Sequence, residues 1–236
     1  MSIRYRTTFQ LRSGQIHDGT PLLLLAHTAI GSLAPIRQPN NFKGQKHITG
    51  LYYSPTTGRQ HAFESRLEQK ALTRVDFELS PQAIATQPFA LLYDDGDKRR
   101  GHIPDILVQL QDARPLVIDV KPKAFVEMNK VPFSAMREAC NEIGWTYAIW
   151  TEMHPTYWHN LSFLYGYHRH SSELAVFAET LVNRLQDGPL TIRQVLEDFV
   201  SPSLVRTTLF HLMWRRRIQA NLAERLHDDA VLHLGA

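Results

Sequence analysis

A single cysteine, Cys140, stands in the 236 residues, so no disulfide can close within the chain and a reducing compartment is expected. Long apolar runs are missing as well. The longest near the start, Leu22-Leu23-Leu24-Leu25-Ala26, falls far short of the ~20 residues a membrane helix needs. Asp18 sits where an export signal would be basic, so neither export nor anchoring is expected, and the cytoplasm is the default. There is no internal repeat, no low-complexity tract, no phosphate-binding P-loop and no dinucleotide fingerprint. Twelve histidines raise the question of zinc. However, His168-x-His170 and Cys140 lack the paired spacing of a structural site, and Cys140 has no histidine partner to activate it.

What is present describes a soluble globular protein. Of the residues, 43% are hydrophobic and 21% charged, enough for a real core and too apolar for disorder. The length predicts one good-sized domain, or one with a small appendage. Net charge is only +3, but residues 1–47 carry Arg4, Arg6, Arg12, Arg37, Lys43 and Lys46 against Asp18 alone. With Pro21, Pro35 and Pro39 and little periodicity, this stretch reads as a loose basic arm holding one short strand at Leu22 to Ala26.

Regular patterning begins near His47. Leu51 to Ser54 and Arg59 to Phe63 flank the turn-rich Pro55-Thr56-Thr57-Gly58, which predicts a hairpin with Gly58 at positive φ. Leu67, Ala71, Leu72 and Val75 form a helical stripe over 65–75. A meander of strands follows at Ala83 to Thr86, Phe89 to Tyr93, Ile103 to Leu110 and Leu116 to Val120, with Asp94 to Arg100 as a turn. A helix over Ser134 to Ile143 then leads to Trp145 to Trp150, a continuous β-prone run that reads as a buried strand reached by a crossover. Trp145, Tyr147 and Trp150 are read as core side chains rather than base-stacking ones. Beyond His170, helices at 173–185, 191–199 and 203–215 and short strands at 218–222 and 230–234 follow the order of a winged helix-turn-helix.

The sharpest chemical feature is Ile103-Pro104-Asp105, followed fourteen residues later by Asp119-Val120-Lys121. On adjacent strands the two carboxylates would approach each other, while alternation sends Asp119 and Lys121 to one face and Val120 to the other. Close carboxylates repel unless a cation lies between them, and oxygen ligands select hard ions such as Mg²⁺ or Mn²⁺. A neighbouring lysine can orient water and offset transition-state charge, which points to phosphodiester hydrolysis. The bland alternative is a surface cross-strand ion pair. Glu64 and Glu68, four apart on the first helix, could add a third carboxylate, but Ser65-Arg66-Leu67-Glu68 is also a capping box. Glutamine at 68 would still cap but would ligate a hard cation poorly. In the tail, Arg206 is the one Lys or Arg over Ser203 to Trp214, with Thr207, Thr208 and His211 as other polar candidates for base reading. Arg215-Arg216-Arg217 suits either phosphate or the helix dipole.

Glu68, Pro104-Asp105 and Asp119-Val120-Lys121-Pro122 together resemble the PD-(D/E)xK restriction-endonuclease-like superfamily. Within it the chain resembles TnsA, the endonuclease subunit of heteromeric transposases, through Thr57-Gly58-Arg59, Ser65-x-Leu67-Glu68, Gln87-Pro88 and Asp119-Val120-Lys121-Pro122. The likeness covers about residues 45–155 and, more loosely, the helical tail. The TnsA pattern often has glutamine where this chain has Asp119; aspartate is the commoner superfamily residue. The resemblance implies an α/β, restriction-endonuclease-like mixed sheet flanked by helices over 48–170, with a winged-helix-like domain over 171–236. It also implies a Mg²⁺ (or Mn²⁺) site of Glu68, Asp105 and Asp119, with the Val120 carbonyl as a further ligand and Lys121 as the catalytic lysine. Arg59, Lys123, Arg206, Arg215, Arg216 and Arg217 become the candidate DNA contacts. The implied activity is cleavage of the 5′ strand at transposon ends, beside a DDE-type transposase and an AAA+ ATPase regulator, in the nucleoid-associated cytoplasm. Another PD-(D/E)xK nuclease, of restriction or repair, and a non-catalytic DNA- or protein-binding module on the same fold are the alternatives.

Overall fold

In the computed structural model, which describes residues 5–37, 48–96, 98–169 and 176–235, the described part of the supposed arm contributes Tyr5, Phe9, Leu22, Leu25, Ile30 and Leu33 to the core. Strand β1 (Tyr5–Leu11) alternates inward Tyr5, Thr7 and Phe9 with more exposed neighbours. It pairs antiparallel with β2 (Ile16–Pro21). The Leu22 to Ala26 run is a helix, α1 (Leu22–Ala26), that buries Leu22 and Leu25. The strand expected there fails because four consecutive leucines form an apolar helical turn as readily as a strand, and short runs do not separate the two. A two-residue strand, β3 (Leu33–Ala34), also joins β1. Of the basic residues assigned to this region, Arg4, Lys43 and Lys46 lie outside the described residues.

The hairpin forms as expected from β4 (Gly50–Ser54) and β5 (Arg59–Phe63), with Gly58 at φ 67°. Helix α2 (Arg66–Leu79) then buries Ala71, Leu72 and Val75. Its buried Asp76 accepts hydrogen bonds from Tyr52 (2.6 Å) and Ser54 (2.7 Å), tying the hairpin to the helix.

The expected meander divides between two sheets. Strand β6 (Ala83–Thr86) is followed by β7 (Phe89–Asp95), which leaves to pair with β1, setting Phe89 opposite Phe9 and Leu91 opposite Thr7. The Asp94 to Arg100 segment is no simple turn: β8 (Lys98–His102) folds back on β7, with Asp94 opposite Arg99 and Asp95 opposite Lys98. Opposite charges across the ladder support pairing that an apolar pattern could not reveal. The second sheet runs β11-β10-β9-β6, from β9 (Ile106–Gln109), β10 (Pro115–Val120) and, after the crossover helix α3 (Lys130–Glu142), the parallel strand β11 (Thr146–Trp150). Helix α3 starts before Ser134 because Pro132 lies within its first turn, where no amide donor is needed.

One core joins Phe9, Leu25, Phe89, Leu107 and Val117 to Ala135, Met136, Ala139 and Cys140 of α3. Alternation turns Ile106, Val108 and Ile118 to the opposite face of the β9–β10 ladder, and α2 packs on β10. Helices therefore flank a mixed sheet, as in a restriction-endonuclease-like fold.

Contacts divide the chain into residues 1–152 and 153–236 rather than at 170, a residue outside those described. Residues 155–165 form α4 (Pro155–Tyr165), whose Asn160 donates to the carbonyls of Leu222 (2.9 Å) and Glu224 (2.6 Å). Phe163 meets Phe210 edge-on, so this helix is built into the second unit. There α5 (Val176–Arg184), β12 (Leu190–Thr191), α6 (Ile192–Leu196) and α7 (Pro202–Trp214) precede β13 (Ile218–Ala220) and β14 (Val231–Leu234). The three strands form one sheet in the order β12-β14-β13. Among the described residues no helix is long and apolar enough to cross a membrane.

Candidate active site

Asp105 directly precedes β9, where Ile106 pairs with Ile118 of β10. The carboxylate of Asp105 therefore reaches the end of β10 and accepts the Val120 N–H at 2.7 Å. Its backbone carbonyl accepts the Gln87 N–H at 2.9 Å. Lys121 lies just past β10, with its N–H donating to the Trp150 carbonyl at 2.9 Å. The Asp105 carboxyl is pushed well above the usual carboxylate range. Burial is the main cause, followed by the negative charges of Glu68 and Asp119; the Val120 N–H and the Lys121 charge offset this in part. Glu68 and the consecutive Asp119, Val120 and Lys121 are thus brought within electrostatic reach of one carboxyl.

Asp119 is almost fully buried, on the α3 side of β10. Its oxygens lie 2.9 and 2.8 Å from His102 Nε2, and Tyr147 donates its hydroxyl hydrogen to Oδ2 at 2.6 Å. With Asp119 ionised, the His102 contact requires a proton on Nε2. Phe133 meets the His102 ring edge-on, and the Arg137 guanidinium lies 5.5 Å from the Tyr147 ring centroid, so α3 braces both partners. Sequence reading missed both. His102 ends β8, between the turn expected at Asp94 to Arg100 and the strand expected from Ile103, and Tyr147 carried no signal beyond a core aromatic. The Cys140 thiol is pushed up to about 12 by burial and the Asp119 charge, leaving it unreactive.

Glu68 forms half of the expected capping box: Ser65 caps its N–H, while its own carboxylate reaches the Glu64 N–H rather than that of Ser65. Its N–H donates to Ser65 Oγ at 3.2 Å, and its carboxylate accepts the Glu64 N–H (2.8 Å) and the Ser65 hydroxyl (2.8 Å). Burial raises its pKa, partly countered by those two hydrogen bonds. Glu64 itself pairs with Arg37. Capping and proximity to Asp105 therefore coexist in one side chain.

Among the described residues no three His, Cys, Asp or Glu side chains make a ready-assembled metal group. The donors nevertheless suit a hard cation in kind: a buried carboxyl stands under the charge of two others, a strain that positive charge relieves. Asp119 and Glu68 each have both oxygens engaged already, whereas Asp105 uses one, so the first two must give up partners to share an ion.

Several candidate DNA contacts have intramolecular partners instead. Arg59 donates to the Gly31 carbonyl at 3.0 Å, Arg206 pairs with Asp228 at 2.6 Å and Arg217 pairs with Glu179 at 3.0 Å. The backbone N–H of Lys123 donates to Glu152 at 3.0 Å. Arg215 is exposed, while Arg216 takes a left-handed φ of 57° just after α7.

Gln87 is the odd residue of the neighbourhood. It joins β6 to β7 at φ 46°, and its side chain is buried with neither amide atom bonded to any described residue. Residues 82–152, which contain Gln87, Asp105, Asp119 and Lys121 but not Glu68, match the family model described as TnsA-like endonuclease N terminal. No curated protein matches the chain.

Proposed function

We propose that the protein, whose residues 82–152 match a TnsA-like endonuclease N-terminal model, is a metal-dependent DNA endonuclease working as one subunit of a heteromeric transposase. In this reading it cuts the 5′ strand at transposon ends, and a DDE-type transposase partner supplies the remaining chemistry. The observation that carries it is the convergence of Glu68, Asp119 and Lys121 on the buried carboxyl of Asp105. Glu68, Asp105 and Asp119, with the Val120 carbonyl, would hold Mg²⁺ or Mn²⁺. Such an ion, when bound, polarises the scissile phosphate and acidifies a water.

The chain's own residues do the rest. The Lys121 ammonium orients the attacking water and balances charge gathering on the phosphate oxygens. His102 and Tyr147 fix the Asp119 carboxylate in one orientation. The Val120 N–H does the same for Asp105. The second unit is read as winged-helix-like. The ion pairs of Arg206 and Arg217 leave little for base reading, so protein docking, including to an ATPase regulator, suits it better than sequence recognition.

The experiment is strand-specific cleavage of transposon-end DNA in Mg²⁺ with the cognate transposase, comparing wild type with Asp105→Ala and Lys121→Ala. Equal cleavage by all three overturns the assignment. The full engagement of Asp119 favours one competitor, a non-catalytic binding module on this fold, which predicts no metal-dependent cutting in any assembly.

A further inference from the structure

Gln87 carries two costs that no packing need explains. A non-glycine residue at φ 46° is strained, and a buried amide lacking partners among the described residues has lost its hydration without replacement. Its backbone is fixed on both sides: the N–H donates to the Asp105 carbonyl (2.9 Å) and the carbonyl accepts the Ile36 N–H (3.0 Å). A two-residue joint between strands needs none of this. An apolar side chain of equal length would fill the space without stranding polar atoms. An amide can both donate and accept, so it suits a carboxylate oxygen as well as an ordered water.

We infer that Gln87 is a positioning residue for the Asp105 carboxylate, its amide gaining partners when the site is loaded with cation and DNA. The inference rests on the nuclease reading and adds to it a residue that touches none of the reacting atoms. Thr7 provides an internal control. Its hydroxyl is also buried without a partner among the described residues, but it lies on β1 opposite Leu91, in the core.

The test compares Gln87→Met, Thr7→Val and Asp105→Ala with wild type, each assayed with the cognate transposase. Thermal midpoints are measured without divalent cation, and cleavage of transposon-end DNA is measured with Mg²⁺. Both Gln87→Met and Thr7→Val are expected to melt about 2–4 °C higher, since each removes a stranded polar group. Thr7→Val should cleave like wild type. Gln87→Met should lose about 10–100-fold in kcat, the range for removing a residue that supports a ligand, with KM for DNA unchanged. If Gln87→Met melts lower or fails to fold, the amide is structural and the inference falls. Wild-type cleavage by Gln87→Met, with Asp105→Ala inactive, also ends it but leaves the nuclease reading standing. Cleavage by Asp105→Ala at the wild-type rate removes the nuclease reading and this inference together.

Discussion

Asp105 and Val120 are joined by a 2.7 Å hydrogen bond from backbone to carboxylate, so the two acidic motifs meet through main chain before any ligand arrives. Asparagine at 105 keeps an acceptor for that N–H but removes the charge crowded by Glu68 and Asp119. Asp105→Asn should therefore fold at least as well as wild type without divalent cation. Adding Mg²⁺ should raise the wild-type melting temperature and leave the variant's unchanged. Calorimetry checks this, with about 2.7 kcal/mol of stabilisation expected at a hundredfold excess over Kd. Equal shifts would place the cation elsewhere.

Glu68 has two roles that substitutions can separate. Ser65→Ala removes the cap and should cost about 1 kcal/mol in urea unfolding. Glu68→Gln still accepts the Glu64 N–H, so its stability should hold while strand cleavage falls. If Glu68→Gln cleaves normally, Glu68 is a cap alone.

Asp119 is held by two side chains, and each should register on stability. Tyr147→Phe deletes one hydrogen bond to a buried carboxylate and should cost about 1.5–3 kcal/mol in denaturant midpoint analysis. Because His102 bonds the same carboxylate, a double-mutant cycle with His102→Ala should be non-additive. Simple additivity would show that the two act independently.

His61 predicts acid sensitivity from the hairpin. Its pKa is lowered from 6.5 to about 4, chiefly by burial and then by the charges of Arg12 and Arg59. The unfolded chain therefore takes up this proton first. The contribution is fully present above about pH 6.5 and is lost as pH falls towards 4, on the order of 3 kcal/mol in all. Subtracting the stability profile of His61→Gln from that of wild type isolates it from the carboxyls of Glu68 and Asp105, whose raised pKa values act in the opposite sense. An unchanged slope in the variant refutes the assignment.

The hairpin, α2 and the crossover were legible because each depends on local signals, such as Gly58 in a turn and a helical stripe; the nearness of Asp105 to Asp119-Val120-Lys121 was legible because their motifs sit on adjoining strands. What escaped depended on distant partners. β1 shows its alternation only once β7 is known to lie beside it, and β8 is held by charged cross-strand pairs in a sequence that looks like a turn. His102 and Tyr147 acquire meaning only from Asp119, seventeen and twenty-eight residues away. α4 begins at a proline and is apolar on most sides, so it showed no clear stripe.

The placement of β1 between β2 and β7 also bears on synthesis. Its partner on β7 is made some eighty residues later, so a nascent chain leaving the ribosome must hold Tyr5 and Phe9 unburied until Phe89 and Tyr93 emerge. Strand β1 is made before its partner and finds its place only once β7 emerges, which leaves an apolar edge open to chaperones in the interval.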